Sequence, residues 1–330
     1  MHDARFIIGI DLGTTNSVVS YIDTGNEDKY EEMPENIVFK IPQVTDAGVI
    51  EELDHLPSFM YLANKSETSG SNLALPWSKD QSYTVGAYAK LRGSQVPSRL
   101  VSSAKSWLCH SSVDRTSAIL PWNVQETIDK VSPLDVSSYF LNHIKQAWNY
   151  NIAKGDKGLF LENQSVFLTV PASFDAVARE LTVKAAKMAG FENFTLLEEP
   201  QAAFYSWLNR LGDDWRKNVK LGDIILVCDI GGGTTDFSLI EVCDEGGDLA
   251  LKRIAVGEHI LLGGDNMDLT LAYTLKSQFQ QKGINLDSYQ MLGLIQSCRE
   301  AKEKMFSDPS ISAHPITILG RGRGVIAGTL

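Results

Sequence analysis

The chain is short of cysteine, of long apolar runs and of basic charge, and each shortage narrows what it can do. Cys109, Cys228, Cys243 and Cys298 are scattered, and none stands in a Cys-x-x-Cys spacing, which removes the redox and zinc motifs built on that spacing. Four dispersed thiols fit a reducing compartment, and Cys228, inside the apolar run from Ile224, reads as an ordinary buried thiol. No run approaches the roughly eighteen apolar residues of a membrane-spanning helix. The opening MHDARFIIGIDLG offers only Phe6 to Ile10 before Asp11 interrupts, too short for a signal-peptide core. A cytoplasmic protein without a membrane partner is expected. Basic residues number 30 against 41 acidic, a formal charge of -11, so a polyanion is repelled and nucleic acid is a poor default partner. Any phosphate it binds must be held by local groups.

What is present is an ordinary globular composition, 43% hydrophobic and 22% charged, over 330 residues, enough for two compact lobes or one large α/β unit. Two stretches read alike: FIIGIDLGTTNSVVSYI from Phe6 and IILVCDIGGGTTDFSLIEV from Ile224. Each is a β-rich run, an Asp, a Gly- and Thr-rich turn and a second run rich in Val, Ile and Ser, which predicts a hairpin. Asp11 and Asp229 stand at equivalent places, and the pattern reads as an internal duplication.

Between the two hairpins, the acidic stretch from Gly25, the Ser/Asn/Gly-rich stretch from Asn64 and the polar stretch His110 to Lys130 read as solvated loops. Ser132, Pro133 and Asp135 predict a capped helix start, with Val136, Phe140, Ile144 and Trp148 on one apolar face. Ser165 to Val170 reads as a strand. Ser173 is expected to cap a following helix with Val177, Leu181, Ala185 and Met188 inward and Gly190 as its stop. Met267, Leu271, Leu275 and Phe279 mark one later helix, and Leu294, Cys298, Ala301 and Met305 another. The C-terminal ITILGRGRGVIAGTL reads as a hairpin turning at Gly320 to Gly324, its two arginines being turn residues.

In the turns, glycine lets the backbone approach a ligand while successive N–H groups and threonine hydroxyls point inward, a cradle for phosphate oxygens. Gly13, Thr14 and Thr15 offer it once, and Gly231, Gly232, Gly233 and Thr234 offer it again. Asp11 and Asp229 would then stand beside the same phosphates, which makes sense with a cation between them. Mg²⁺ suits, because it keeps its waters and is held through one or two carboxylates plus phosphates. The alternative is that each Asp merely caps its turn.

IGIDLGTTNS, FLTVPASFDAVARELTVKAAKMAGF, LLEEPQAA, CDIGGGTTDFS and LLGGDNMD, in this order, resemble the nucleotide-contacting and connecting segments of the DnaK-like, seventy-kilodalton heat-shock chaperones. The likeness runs from Phe6 to the C-terminus. Actin and sugar kinases share the hairpins, but the Glu-Pro-Gln-Ala-Ala and Gly-Gly-Asp-Asn-Met-Asp segments point to the chaperone branch.

The resemblance implies an α/β, actin-like ATPase fold: duplicated ribonuclease-H-like lobes, four subdomains around a nucleotide cleft. Residues 1–213 would form lobe I, with about 42–135 as its outer subdomain, and 214–330 a partial lobe II, with about 261–330 as its outer subdomain. The second lobe is expected to be incomplete, because the family continues past the last hairpin. The resemblance also implies ATP or ADP with Mg²⁺ as cofactors and assigns roles. Lys105 positions the attacking water and steadies the γ-phosphate charge; Asp236 and Thr234 orient that water; Glu199 binds a water of the metal's shell; Pro171 and Glu199 couple the site to interdomain signalling. Asp11 and Asp229 hold the metal through waters, Gly263 and Gly264 approach the nucleotide, and Lys302 contacts its ribose. Arg299 stands where an acidic ribose contact is usual, unless Glu300 replaces it by a one-residue shift, and Phe306 stands near an expected serine. Co-chaperones and a nucleotide-exchange factor are the implied partners, with unfolded clients bound through a domain outside this sequence. The leading expectation is an ATPase that drives a chaperone's conformational cycle; a nucleotide sensor without turnover and an actin-like cytoskeletal ATPase are the alternatives.

Overall fold

A computed structural model of the chain describes residues 4–25, 35–68, 71–122, 124, 128–246, 248–319 and 325–329. Phe6–Leu12 alternates buried and open side chains, as a strand with one covered face must, and turns back into Asn16–Asp23 as the predicted first hairpin, Phe6 pairing with Asp23 and Leu12 with Ser17. Ser165–Val170 adds in parallel beside Phe6–Leu12, and Phe194–Glu198 adds in parallel beyond it. Ile37–Val38 and Leu56–Pro57 pair with Asn16–Asp23 and complete a six-stranded mixed sheet.

Helix Pro133–Trp148 starts as its sequence predicts: the Ser132 hydroxyl accepts from the Asp135 backbone N–H while the Asp135 carboxylate reaches back. Its apolar face closes on the sheet, where Trp148 is fully buried with its ring edge-on to Phe6 at 5.2 Å and Tyr21 at 5.1 Å. The next helix departs from expectation. It spans Ala176–Met188 and is capped by Asp175, whose carboxylate accepts from the Ala178 N–H at 2.6 Å, not by Ser173. Ala178, Leu181, Ala185 and Ala186 face inward, while Val177 and Met188, expected inward, lie outside. Gly190, at φ 93°, ends it in the left-handed conformation that favours glycine.

The second hairpin, Ile224–Ile230 with Thr235–Glu245, forms as predicted and gains Asp248–Val256 as a third antiparallel strand. Ile224–Ile230 is an edge strand with no buried residue, and Cys228 is exposed, which corrects its reading as a core thiol. Helices Gly264–Gln281 and Ser288–Ser307 pack against each other and against Pro315–Leu319, burying Ala272, Phe279, Leu294, Cys298, Ala301, Ile316 and Ile318. Phe279 is buried as expected. Met267 points to solvent, and Asp268, one residue on, takes the inward place.

Two of the stretches read as loops carry structure: Lys65–Thr68 is a helical turn whose Glu67 binds Tyr61 and Arg92, and Arg115, inside His110 to Lys130, is buried against Asp175. Residues 26–34 of the acidic stretch and the turn at 320–324 lie outside the described residues; the strands flanking that turn, Pro315–Leu319 and Val325–Thr329, are paired. Among the described residues no helix is long and apolar enough to cross a membrane.

Candidate functional site

The two Gly-Thr turns meet face to face. At Gly13 an added Cβ would collide with the carbonyl of Asn16, so the first turn is tight enough to require glycine. Gly232 packs on the Thr15 side chain, and Gly233 on Ser106 and Thr14. Ser58 holds the first turn, donating its hydroxyl to the Gly13 carbonyl at 2.7 Å and its N–H to the Thr15 carbonyl at 2.8 Å. The second turn is braced from behind: the N–H groups of Gly264 and Asp265 donate to the carbonyls of Gly231 and Gly232 at 3.1 and 2.7 Å.

Beside the turns lies a cavity of about 700 Å³ whose lining includes Asp11, Gly13, Thr14, Thr15, Lys105, Glu199, Asp229, Gly231, Gly232 and Thr234. The Lys105 ammonium donates to Glu199 Oε1 at 2.6 Å, and Asp11 Oδ1 accepts from the Thr169 hydroxyl at 2.7 Å. Burial opposes the charge on Lys105, but Glu199 and Asp11 outweigh it and hold its pKa above the ordinary lysine value. Burial pushes Glu199 above the usual glutamate range; Lys105 opposes the rise, and Asp11 and Asp229 add to it. Burial likewise raises Asp229, with Lys105 opposing, Asp236 and Asp11 reinforcing, and a Glu199 hydrogen bond pulling back down. Three carboxylates thus share one ammonium. That surplus of negative charge fits a divalent cation, and Asp11 and Asp229 are the groups that could take its waters. Among the described residues no cluster of three or more side chains offers direct metal ligation.

Other predicted residues stand outside the cavity lining. Gly233 is turned toward Ser106 and Thr14, and Gly263 and Gly264 lie behind the second turn as its support. Asp236 is buried in contact with Ser173 and His259. Pro171 ends the strand Ser165–Val170 and accepts the Phe174 N–H at 3.2 Å. Lys302 donates to the Gly264 carbonyl at 2.7 Å and pairs at 2.6 Å with Asp268, which has no solvent exposure. Arg299 binds the same Asp268 at 2.9 Å and Asp265 at 2.5 Å. Glu300 pairs with Lys304 on the exposed side of the helix, and Phe306 is 80% exposed.

Sequence reasoning gave Ser173 only a capping role and Asp265 and Asp268 only a place in the Gly-Gly-Asp-Asn-Met-Asp segment, and it passed over His259. Asp268 could have been found, because a carboxylate in the first turns of a helix three residues before Leu271 shares that residue's face. His259 carried only a weak signal: one of six histidines, standing four residues before Gly263.

A family profile described as Hsp70 protein matches residues 50–325. A chaperone protein HscA of Salmonella paratyphi C (strain RKS4594) is 29% identical over 282 residues, covering 84% of this chain and 38% of that protein. A chaperone protein HscA homolog of Acinetobacter baylyi (strain ATCC 33305 / BD413 / ADP1) is 25% identical over 319 residues, 94% of this chain and 43% of that protein. The chain therefore spans about two-fifths of the length of the curated relatives it matches.

Proposed function

This chain belongs to the Hsp70 family, whose members are ATPases of actin-like fold, and from that premise we propose that it binds and hydrolyses Mg²⁺-ATP to drive a chaperone's conformational cycle. The observation that carries the proposal is the convergence of both Gly-Thr turns, Lys105, Glu199, Asp11 and Asp229 on one cavity. Residues 1–213 form the first lobe and 214–330 part of the second, with 42–135 and 261–330 as their outer arms.

The backbone N–H groups and hydroxyls of Gly13 to Thr15 and Gly231 to Thr234 cradle the phosphate oxygens. Gly263 and Gly264 hold the second turn in shape from behind, and Lys302 braces them through the Gly264 carbonyl. Bound Mg²⁺ supplies charge neutralisation at the phosphate oxygens, held by Asp11 and Asp229 through its waters. Lys105 places a buried positive charge where negative charge spreads over the transferring phosphoryl group. Glu199 keeps that ammonium aimed into the cavity, and Asp236 with Thr234 orients the attacking water. Co-chaperones and an exchange factor act on the cycle, and unfolded clients are engaged elsewhere in the protein.

Release of labelled phosphate from ATP, measured with Mg²⁺ and again with EDTA, tests the reading. Mg²⁺-dependent release is expected. Tight ATP binding with no release would favour a nucleotide sensor instead.

A further inference from the structure

Ser173, Asp236 and His259 come from three separate segments and meet around the buried Asp236 carboxylate, the other two being half-buried. The Ser173 hydroxyl makes a very short hydrogen bond to Asp236 Oδ1, and His259 Nδ1 lies 2.6 Å from that hydroxyl and 3.1 Å from the same Oδ1. Asp236 is 4% exposed, so its charge needs these partners. Nothing in the placement is loose. On either side of His259 the loop is stapled to the second hairpin: the Gly257 N–H donates to the Phe237 carbonyl at 2.8 Å, the Thr235 N–H to the Ile260 carbonyl at 2.9 Å, and the Thr235 hydroxyl to the Leu262 carbonyl at 2.8 Å. The buried ring of Phe174 stands edge-on to the imidazole at 5.7 Å.

Asp236 only accepts, so the single Ser173 proton goes to Oδ1, and His259 Nδ1–H donates to the serine oxygen at 2.6 Å with Oδ1, at 3.1 Å, as its longer second acceptor. His259 Nε2 is buried and has no partner among the described residues, so Nδ1 is the ring nitrogen whose proton finds an acceptor. Asp236 Oδ1 takes the Ser173 proton on one lone pair, and the remaining accepting capacity of the carboxylate is left for other groups.

We infer that His259, acting through the Ser173 hydroxyl, is a positioning residue for Asp236. The relay sets the orientation of the carboxylate that aligns the attacking water, and it takes no part in holding the nucleotide. The inference rests on the ATPase reading above. It also explains why Ser173 does not cap the helix at Ala176: its hydroxyl is committed to Asp236, and Asp175 caps in its place.

The test uses steady-state hydrolysis and Mg²⁺-ATP titration on the full chain carrying His259→Ala, His259→Asn, Ser173→Ala and the His259/Ser173 double alanine. Misorientation of a water-aligning group predicts kcat down roughly ten- to a hundredfold in each alanine variant, with the nucleotide Kd unmoved. The double variant should be no worse than the poorer single one, because the two residues act as one relay. Asn carries an amide N–H near the position of Nδ1, so His259→Asn should recover most of the loss. In ¹⁵N spectra of the wild type, His259 should show a protonated Nδ1 and a bare Nε2. Unchanged kcat in His259→Ala, an equal loss in Kd, no recovery in His259→Asn, or the opposite tautomer would each overturn the inference. A wild type that releases no phosphate overturns the ATPase reading and this role with it, whereas wild-type turnover indifferent to His259 overturns the role alone.

Discussion

Lys105 and Glu199 form a 2.6 Å ion pair inside the cleft, with side chains only 13% and 15% exposed, although they lie 94 positions apart in the chain. A pair this enclosed is costly to break, because the survivor keeps a desolvated charge. Lys105→Ala should therefore lower single-turnover hydrolysis by about a hundredfold or more while ATP binding changes little, since the ammonium matters most when the phosphoryl group transfers. Undiminished hydrolysis in that variant removes Lys105 from the mechanism.

Asp11→Asn and Asp229→Asn should weaken Mg²⁺-nucleotide binding more than metal-free binding, because each carboxylate acts through the cation's waters. Titrations with and without EDTA make the comparison. Equal losses under both conditions would assign the two aspartates to their turns alone.

Gly263→Ala would drive a Cβ to 2.6 Å from the Gly231 carbonyl oxygen and 2.7 Å from the Gly232 carbonyl carbon, both backbone atoms that cannot swing away. Denaturation should show a loss of about 1–3 kcal/mol, accompanied by weaker ATP binding through the displaced second turn. Gly293→Ala, inside helix Ser288–Ser307 with only Pro97 Cγ near at 3.9 Å, is the control. It should gain about 0.5–1 kcal/mol from helix propensity.

His143 is buried with its Nε2–H donated to the Pro42 carbonyl at 2.9 Å, and burial pulls its pKa from 6.5 down to about 4. The unfolded chain then binds the extra proton between those values, so this stability is complete above 6.5 and falls as pH drops toward 4, by up to about 3 kcal/mol. Denaturant melts at pH 7.5 and 5 should show the loss in wild type and a smaller one in His143→Gln. The same loss in both would place the pH sensitivity elsewhere.

Ile224, Leu226 and Ile230 are 61%, 57% and 68% exposed on an edge strand. Such an edge invites pairing with another chain, so replacing all three by threonine should lower the scattering of concentrated samples. Scattering that does not change would exonerate this strand.

Local chemistry made much of this legible. The two hairpins and the Ser132 capping box depend on contacts within a few residues, and both formed as read. What failed turned on partners far along the chain. Ser173 and Asp175 are both good caps by composition; Asp236, sixty-three positions away, claimed the serine, and Arg115, sixty away, holds the aspartate that caps. Cys228 looked buried because its strand is apolar, but an apolar strand at a sheet edge is buried only if something covers it. Asp11, Lys105, Glu199 and Asp229, named by motif or resemblance, all line one cavity. The relay through His259 was not named, because it depends on a loop register that no spacing encodes.

The central claim is that both Gly-Thr turns hold one Mg²⁺-ATP, and amide hydrogen exchange addresses it at the atoms concerned. The turns contribute their backbone N–H groups, so exchange at Gly13 to Thr15 and at Gly231 to Thr234 should slow together when Mg²⁺-ATP is added, and less with ATP in EDTA. Slowing at neither turn, or at one alone, would contradict the account.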